Sequence, residues 1–475
     1  MKRSKLACLC FMTVAFLSFT GCNIVKQNET NQTKKKVDVK LFDEFTDIEI
    51  FQGIPIMTVE NGKLDVKGDV GAGNQVATVS GSELEEYWTY LKVLEECGFE
   101  TKYDNGEDGL YKKVFTTVMT KDEVAISVIH MTKSNLTYII AERETELTEH
   151  LFYKDEYLKD NIDGANASLH MIELKEFGNS FVIQLKNGHF IMCDGGNKGN
   201  LSYLIDYLEE LVPNGEKPVI EAWMISHQHY DHCALFAEFS DNWTYSDRIY
   251  VEGIYMDSYN SDIATAYGVV NTQLDVMSAA LKLKTTDGKH PQIYRPQAGQ
   301  RYYFSDVTVD VMQTLIQCPV EDFYRQQDSI NEFSTWLMFN IDGQKFLNIG
   351  DADFGAMRAI MRTYDQEDLE VDIMGVAHHG INVHNEFTDF VSVNTLLYPN
   401  FGIYGSFLEG QNWGGAYQAS VTRNEYLHTK VLESYCYLDG TVVLNFPYKV
   451  GTAKSLGHSR MDRVEDTNEH HIKYY

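Results

Sequence analysis

The chain has 475 residues, 44% of them apolar and only 8 of them proline, so most of it is expected to fold, as two units or one elaborated one. Its formal net charge of −29 repels polyanions at long range and argues against a protein that coats nucleic acid. Cleavage of a phosphodiester at a metal centre stays open, because a bound ion supplies positive charge locally.

Read in chain order, the first residues form an address. Lys2, Arg3 and Lys5 precede an apolar run from Leu6 to Phe19, shorter than the roughly 20 residues a spanning helix needs. The run ends in Phe19-Thr20-Gly21-Cys22, which resembles the lipobox of bacterial lipoproteins, with Phe19 where that family usually has Leu. The resemblance implies a signal peptide over 1–21, lipidation of Cys22, and a mature protein held outside the cytoplasm on the bacterial membrane by its lipid anchor. Loss of the three basic residues, with no acid before Cys22, would take the charge from −29 to −32. Residues 22–40 are expected to be a polar, flexible tether. No later segment is long and apolar enough to cross a membrane.

Cys8 and Cys10 leave with the leader, and Cys22 is committed to lipid. Cys97, Cys193, Cys233, Cys318 and Cys436 remain, widely spaced and odd in number, with no CxxC pair. Neither a disulfide framework nor a thiolate zinc site is indicated; core thiols are expected.

Residues 41–160 are expected to form a small α+β unit of unknown role. Leu84, Tyr87, Leu91 and Leu94 recur at helical spacing before Gly98, and Phe115–Met119, Val124–Met131 and Leu136–Ile140 are predicted strands. No cluster of catalytic residue types lies there, and a binding or spacer module is expected.

The stretch 165–450 repeats a plan. Predicted strands Phe181–Leu185 and Phe190–Cys193 flank Asn187-Gly188, a hairpin signal. Asp194, an amphipathic helix over Leu201–Leu211, a strand over Val219–Ser226 and His227 follow. In the second half, predicted strands Trp336–Ile341 and Phe346–Ile349 flank Asp342-Gly343; Asp351, a helix over Phe354–Tyr364, a strand over Val371–Ala377 and His378 follow. Hairpin, aspartate, helix, strand, histidine occurs twice. Two such halves are expected to pack sheet against sheet with helices outside, a four-layer αββα sandwich whose corresponding strand ends meet at one edge. A last pair, Tyr435–Leu438 and Thr441–Phe446 around Asp439-Gly440, is expected to close the second sheet. Residues 451–475, with His458, His470 and His471, read as a polar tail.

His227-Gln228-His229-Tyr230-Asp231-His232 comes directly off a buried-looking strand. Three imidazoles and a carboxylate within six residues are costly in a core and are ligand types for zinc, iron or manganese. In a turn, His227 and His229 can face one ion while Asp231 and His232 face a neighbour.

This segment resembles the HxHxDH motif of the metallo-β-lactamase fold, and the order of motifs matches over roughly 280 residues. The resemblance implies that Asp194 orients the ligand loop and that Asp351 bridges two ions. It further implies that His378 ligates the second ion, with His379 the alternative for that role. It departs from the family in two places. Where a third-motif His is usual, the chain reads Asp328-Ser329-Ile330-Asn331, so Asp328, Asn331 or water is left as third ligand of the first ion, or the ion is held loosely. His290 lies too far upstream. Cys233-Ala234 replaces a glycine pair; packing is the expected role of Cys233. The Asn and Ser before the strand, the Gly-Asp-Ala around Asp351 and His378-His379-Gly380 resemble the hydrolase module of the competence DNA-uptake channel (ComEC-like), which implies phosphodiester cleavage.

The expected centre therefore holds one or two ions, zinc or manganese, on His227, His229, Asp231, His232, Asp351 and His378. A nearby His or Asp, with His379 and His384 as candidates, would move a proton. Tyr230, Asn382 and Tyr404 are candidates for the substrate side. The expected substrate is a small molecule or polymer with a phosphodiester or ester, and nucleic acid enters only as substrate. A lactone, β-lactam or other acyl hydrolase is the alternative reaction, and a non-catalytic surface binding protein the alternative class.

Overall fold

A computed structural model describes residues 37–42, 48–67, 73–143, 161–174, 178–317, 330–381, 383–399, 418–436, 440–456 and 472–473. The leader, Cys22 and nearly all of the tether, Cys318, Asp328, Asn382, Tyr404, Asp439 and the tail histidines lie outside the described residues.

The first unit is a six-stranded antiparallel sheet in the order Lys63–Lys67, Asn74–Ser80, Leu136–Arg143, Val124–Met131, Val114–Lys121, Glu100–Asp104. The helix Leu84–Glu96 forms where its spacing predicts and buries Tyr87, Tyr90, Leu91 and Leu94 against Val79, Phe115 and Ile126 of one sheet face. Strands such as Val124–Met131 are buried along their whole length, so the other face is covered too. Val76, Val114, Ile129 and Ile140 of that face share a core with Met312 and Tyr364 of the second unit. Tyr103 donates to Gly299 O (3.1 Å) and Thr116 Oγ1 to Ala298 O (2.6 Å) across this junction.

The second unit is the four-layer αββα sandwich that the duplicated plan implies. One sheet runs Gln292–Tyr294, Gly253–Met256, Val219–Ile225, Phe190–Asp194, Ser180–Gln184, Ser168–Met171, Val442–Asn445, Lys454–Ser455. The other runs Arg301–Phe304, Val307–Gln313, Trp336–Ile341, Gln344–Asn348, Glu370–Gly375, Ser392–Tyr398, Glu433–Cys436, Ile472–Lys473. In both, an antiparallel hairpin leads into parallel strands. The facing sides meet in a core of Phe181, Ile183, Ala222 and Met224 against Val309, Phe339, Phe346 and Ile373, with Phe181 and Phe346 edge to face. The helices Leu201–Leu211 and Val270–Ala280 cover the outer face of the first sheet. Phe354–Thr363, Asn385–Phe390 and Gln418–His428 cover the second.

The end of the chain corrects one expectation. Glu433–Cys436 joins the second sheet, but Val442–Asn445 pairs with Ser168–Met171 in the first. Glu433–Cys436 and Val442–Asn445 therefore do not pair as a hairpin. The exposed flank of Ser168–Met171 needed a partner, and pairing there buries Val442, Leu444 and Phe446 between the sheets.

Strands Phe190–Asp194, Val219–Ile225, Gln344–Asn348 and Glu370–Gly375 all end at one edge of the sandwich. The segments that leave them carry Asp194, His227–His232, Asp351 and His378–His379.

Candidate metal centre

The strand Val219–Ile225 runs into Ser226, His227, Gln228 and His229, then the short helix Tyr230–Cys233. This loop is pinned through its backbone. Gly195 N and Gly196 N donate to His232 O (2.8 and 3.2 Å), and Asn179 N donates to Asp231 O (2.8 Å). Gly178 is required here because a Cβ on it would stand 2.5 Å from Asp231 O.

Asp194 is fully buried, with left-handed backbone (φ 57°), and organises what lies around it. Its Oδ1 accepts from Ser226 N (2.7 Å); its Oδ2 accepts from Ser226 Oγ (2.9 Å), Asn179 Nδ2 (2.9 Å) and His232 Nδ1 (2.8 Å). It meets the His232 ring at Nδ1, away from the carboxylates, and lies in neither group of possible metal donors.

Two groups of donor atoms result, each with its atoms within 4.8 Å of one another. The first is His227, His229 and Asp351; the second is Asp231, His232, Asp351 and His379. In the second, His232 Nε2 is 3.0 Å from Asp351 Oδ1 and 3.8 Å from Asp231 Oδ2; His379 Nε2 is 3.2 Å from Asp231 Oδ2 and 3.8 Å from Asp351 Oδ1. Donors on a tetrahedral zinc ion stand about 3.4 Å apart, given ligand distances of about 2.1 Å. The four residues fit such an ion. In the first group His227 Nε2 faces His229 Nδ1 at 3.0 Å and stands 4.0 Å from Asp351 Oδ2. His232 Nε2 and Asp351 Oδ2 are buried without an aligned hydrogen-bond partner among the described residues. Buried carboxylate oxygens and imidazole nitrogens brought this close either share protons or hold a cation between them.

Burial, followed by the charges of His232 and then His229, pulls His227 well below the ordinary imidazole range, which leaves it neutral and able to ligate. Burial also lowers His229. For His232 burial acts downward, but Asp351, Asp194 and Asp231 together hold the ring well above its ordinary value. Asp351 is held well below the usual carboxylate range: burial opposes its charge, and His232, His378 and His379 outweigh that. Without an ion, the second group is thus a set of carboxylates neutralised by protonated imidazoles, and an ion would take the place of those protons.

The resemblance leaves His378 and His379 both open for the fifth motif. His379, not His378, lies in the second group, fully buried, with Nδ1 bonded to Pro399 O (2.9 Å) and Nε2 turned to the carboxylates. Its Nε2 is therefore within reach of an ion held by that group. His378 stands on the open side, with Nε2 3.6 Å from Asp351 Oδ2. Asn331, expected as a substitute ligand, meets His378 Nδ1 at 3.3 Å through its amide nitrogen Nδ2.

His384 is in neither group. Its Nε2 bonds Asp353 Oδ1 (3.0 Å), and its ring stacks on Phe354, whose ring also lies 3.8 Å from the Arg358 guanidinium carbon. Asp353, two residues after Asp351, was not singled out in the sequence although the Asp-Ala-Asp spacing was visible. Ser226 and Asn179 were missed as well; Ser334, before the strand Trp336–Ile341, accepts from Asp351 N through Oγ (3.2 Å). Tyr230 is exposed beside the loop. Cys233 is buried, and burial, then Asp194 and Asp231, pushes its thiol well up, so it packs as an uncharged group. None of the described cysteines is in a disulfide.

No family model matches the chain, and no curated protein matches it. Among solved structures it is similar to zinc-bound PqqB from Methylobacterium extorquens, with TM-score 0.34 and 8% identity over 57% of this chain and 89% of that one. It is also similar to Tm1679, described as a metal-dependent hydrolase of the β-lactamase superfamily, with TM-score 0.31 and 10% identity over 57% of this chain and 95% of that one.

Proposed function

We propose that this chain is a metal-dependent hydrolase that holds two divalent ions, zinc or manganese, and acts on phosphodiesters. The observation that carries the reading is the division of Asp351: its Oδ1 belongs to one group of nitrogen and oxygen donors and its Oδ2 faces the other. Such a carboxylate suits a bridge between neighbouring ions. Bound ions supply Lewis acidity and lower the pKa of a water towards neutrality. The chain supplies the rest. Asp194 holds the proton of His232 on Nδ1, which keeps Nε2 available, and Pro399 O does the same for His379. His384, anchored by Asp353 through Nε2, has Nδ1 left to hand a proton to a leaving oxygen.

The donors are imidazole and carboxylate with no thiolate, a set that suits zinc or manganese working on phosphoryl oxygens. The resemblance to the uptake-channel hydrolase module favours phosphodiesters over acyl substrates. The charge of −29 favours small or exposed phosphodiesters over long duplex DNA. The lipobox-like segment adds a place: the hydrolase works outside the cytoplasm, tethered through Cys22.

The test is metal content together with a substrate panel. Protein loaded with Mn²⁺ or Zn²⁺ should hydrolyse bis(p-nitrophenyl) phosphate or phosphorylcholine esters. Fast opening of a lactone or β-lactam with phosphodiesters untouched would replace the reaction. Protein that binds no divalent ion would overturn the hydrolase reading.

A further inference from the structure

The first donor group is short of a ligand. His227, His229 and the shared Asp351 leave an ion with two nitrogens and one borrowed oxygen, and the segment where a third histidine is usual contains none. We propose that His378 closes this first site, so that the adjacent residues His378 and His379 serve one ion each. The inference rests on the two-ion reading above.

Three observations converge on it. His378 Nε2 is 3.6 Å from Asp351 Oδ2, the same oxygen that faces His227 Nε2 at 4.0 Å. The His378 separation falls within the 3.0–3.8 Å found in the second group, and the 4.0 Å of His227 lies just beyond it. Asp351 Oδ2 is itself buried without a hydrogen-bond partner among the described residues.

Next, Nδ1 of each ring is engaged and Nε2 faces Asp351. Nδ1 of His379 meets Pro399 O (2.9 Å), and Nδ1 of His378 meets Asn331 Nδ2 (3.3 Å). A metal-bound histidine commonly gives its other ring N–H to a carbonyl oxygen, as His379 can to Pro399 O; at His378 the same bond requires the Asn331 amide flipped, which exchanges its nitrogen for its oxygen.

The backbone is the last observation. His378 and His379 are consecutive non-glycine residues in left-handed conformation, φ 46° and 52°. Each such residue costs on the order of 1 kcal/mol or more, and strain of this kind persists only where the surroundings enforce it. Here they do. His378 N donates to Gly350 O (3.2 Å), Ile381 N donates to His378 O (2.7 Å), and Asn424 Nδ2 donates to Gly380 O (2.7 Å). A regular extended strand would send neighbouring side chains to opposite faces. The left-handed pair brings both imidazoles to Asp351. His378 is about one quarter exposed and His379 fully buried, so the first ion sits nearer solvent than the second.

The test compares His378→Asn and His379→Asn in the full chain, because Asn tolerates left-handed backbone. Metal-free melting temperatures check folding. Manganese is then counted by elemental analysis, and coupling between ions is read by electron paramagnetic resonance. Wild type should bind two ions with a coupled spectrum. His378→Asn should keep one tight ion, weaken the other by about tenfold or more, and show an uncoupled signal. Two ions at wild-type affinity in His378→Asn, or a single ion in wild type, overturns the proposal. No ion in wild type overturns the two-ion reading itself. If the variants do not fold, the cobalt-loaded wild type decides. Metal-shifted imidazole N–H signals should number five if His227, His229, His232, His378 and His379 all ligate. Four would overturn the assignment of His378.

Discussion

Asp194 Oδ2 lies 2.8 Å from His232 Nδ1, and the other nitrogen of that ring lies 3.0 Å from Asp351 Oδ1. One buried carboxylate thus aims an imidazole at another across the edge where the two sheets meet. Asp194→Asn keeps the size of the side chain but removes the charge, and an amide oriented to satisfy Ser226 N no longer fixes the His232 proton. Metal affinity should fall by about 10–100-fold, the usual cost of losing a partner behind a ligand. Competition with a chromogenic chelator measures it. Unchanged affinity would remove Asp194 from the positioning role.

Loss of Asp351 should be more severe than loss of His384. Asp351→Ala deletes a donor from both groups and should abolish phosphodiester hydrolysis and sharply reduce bound metal. His384→Ala removes the bond to Asp353 and the stacking on Phe354 and leaves both groups intact, so metal content should stay at the wild-type level while turnover falls by about 100-fold or more. Equal metal content in the two purified variants would defeat the ligand assignment.

A pH dependence is built into the junction between the two units. Asp257 is buried, and burial raises its carboxyl to about 6 in spite of Arg295 Nε at 3.6 Å. Below a pH of about 4 the group is protonated whether the chain is folded or not. Above that the unfolded chain ionises first, so stability drains away as pH rises through about 6. The loss amounts to about 3 kcal/mol. Asp257→Asn has no proton to lose and should be spared it. Urea midpoints at pH 4.5 and 7.5 should show the variant gaining on wild type at the higher pH. A constant difference would contradict this.

Cys22→Ala should release the protein from bacterial membranes, since the acyl chains proposed on that residue are its anchor. Fractionation after a high-salt wash is the measurement. A variant that still pellets with membranes would end the lipoprotein reading.

The layered architecture was legible in the sequence, as were most of the residues that the fold gathers at the sheet edge. Period-two and period-3.6 apolar patterns placed the hairpins and helices of both halves, because burial of one face is a local property of spacing. The cluster His227–His232 was legible for a similar reason: these residue types are too costly off a buried strand without a cation to hold. Asp194 and Asp351 were legible only through their repeated place after a hairpin. What the tertiary structure alone decided concerns direction and partnership. Whether His378 or His379 reaches the buried group depends on two left-handed residues, and neither residue type announces that conformation. The Asp353–His384 pair joins residues 31 apart. Val442–Asn445 found its partner among residues of the opposite half because an open sheet edge there outweighed the local turn signal. Spacing along a chain records which face a residue takes, while the partner across that face is set by packing of segments far apart in sequence.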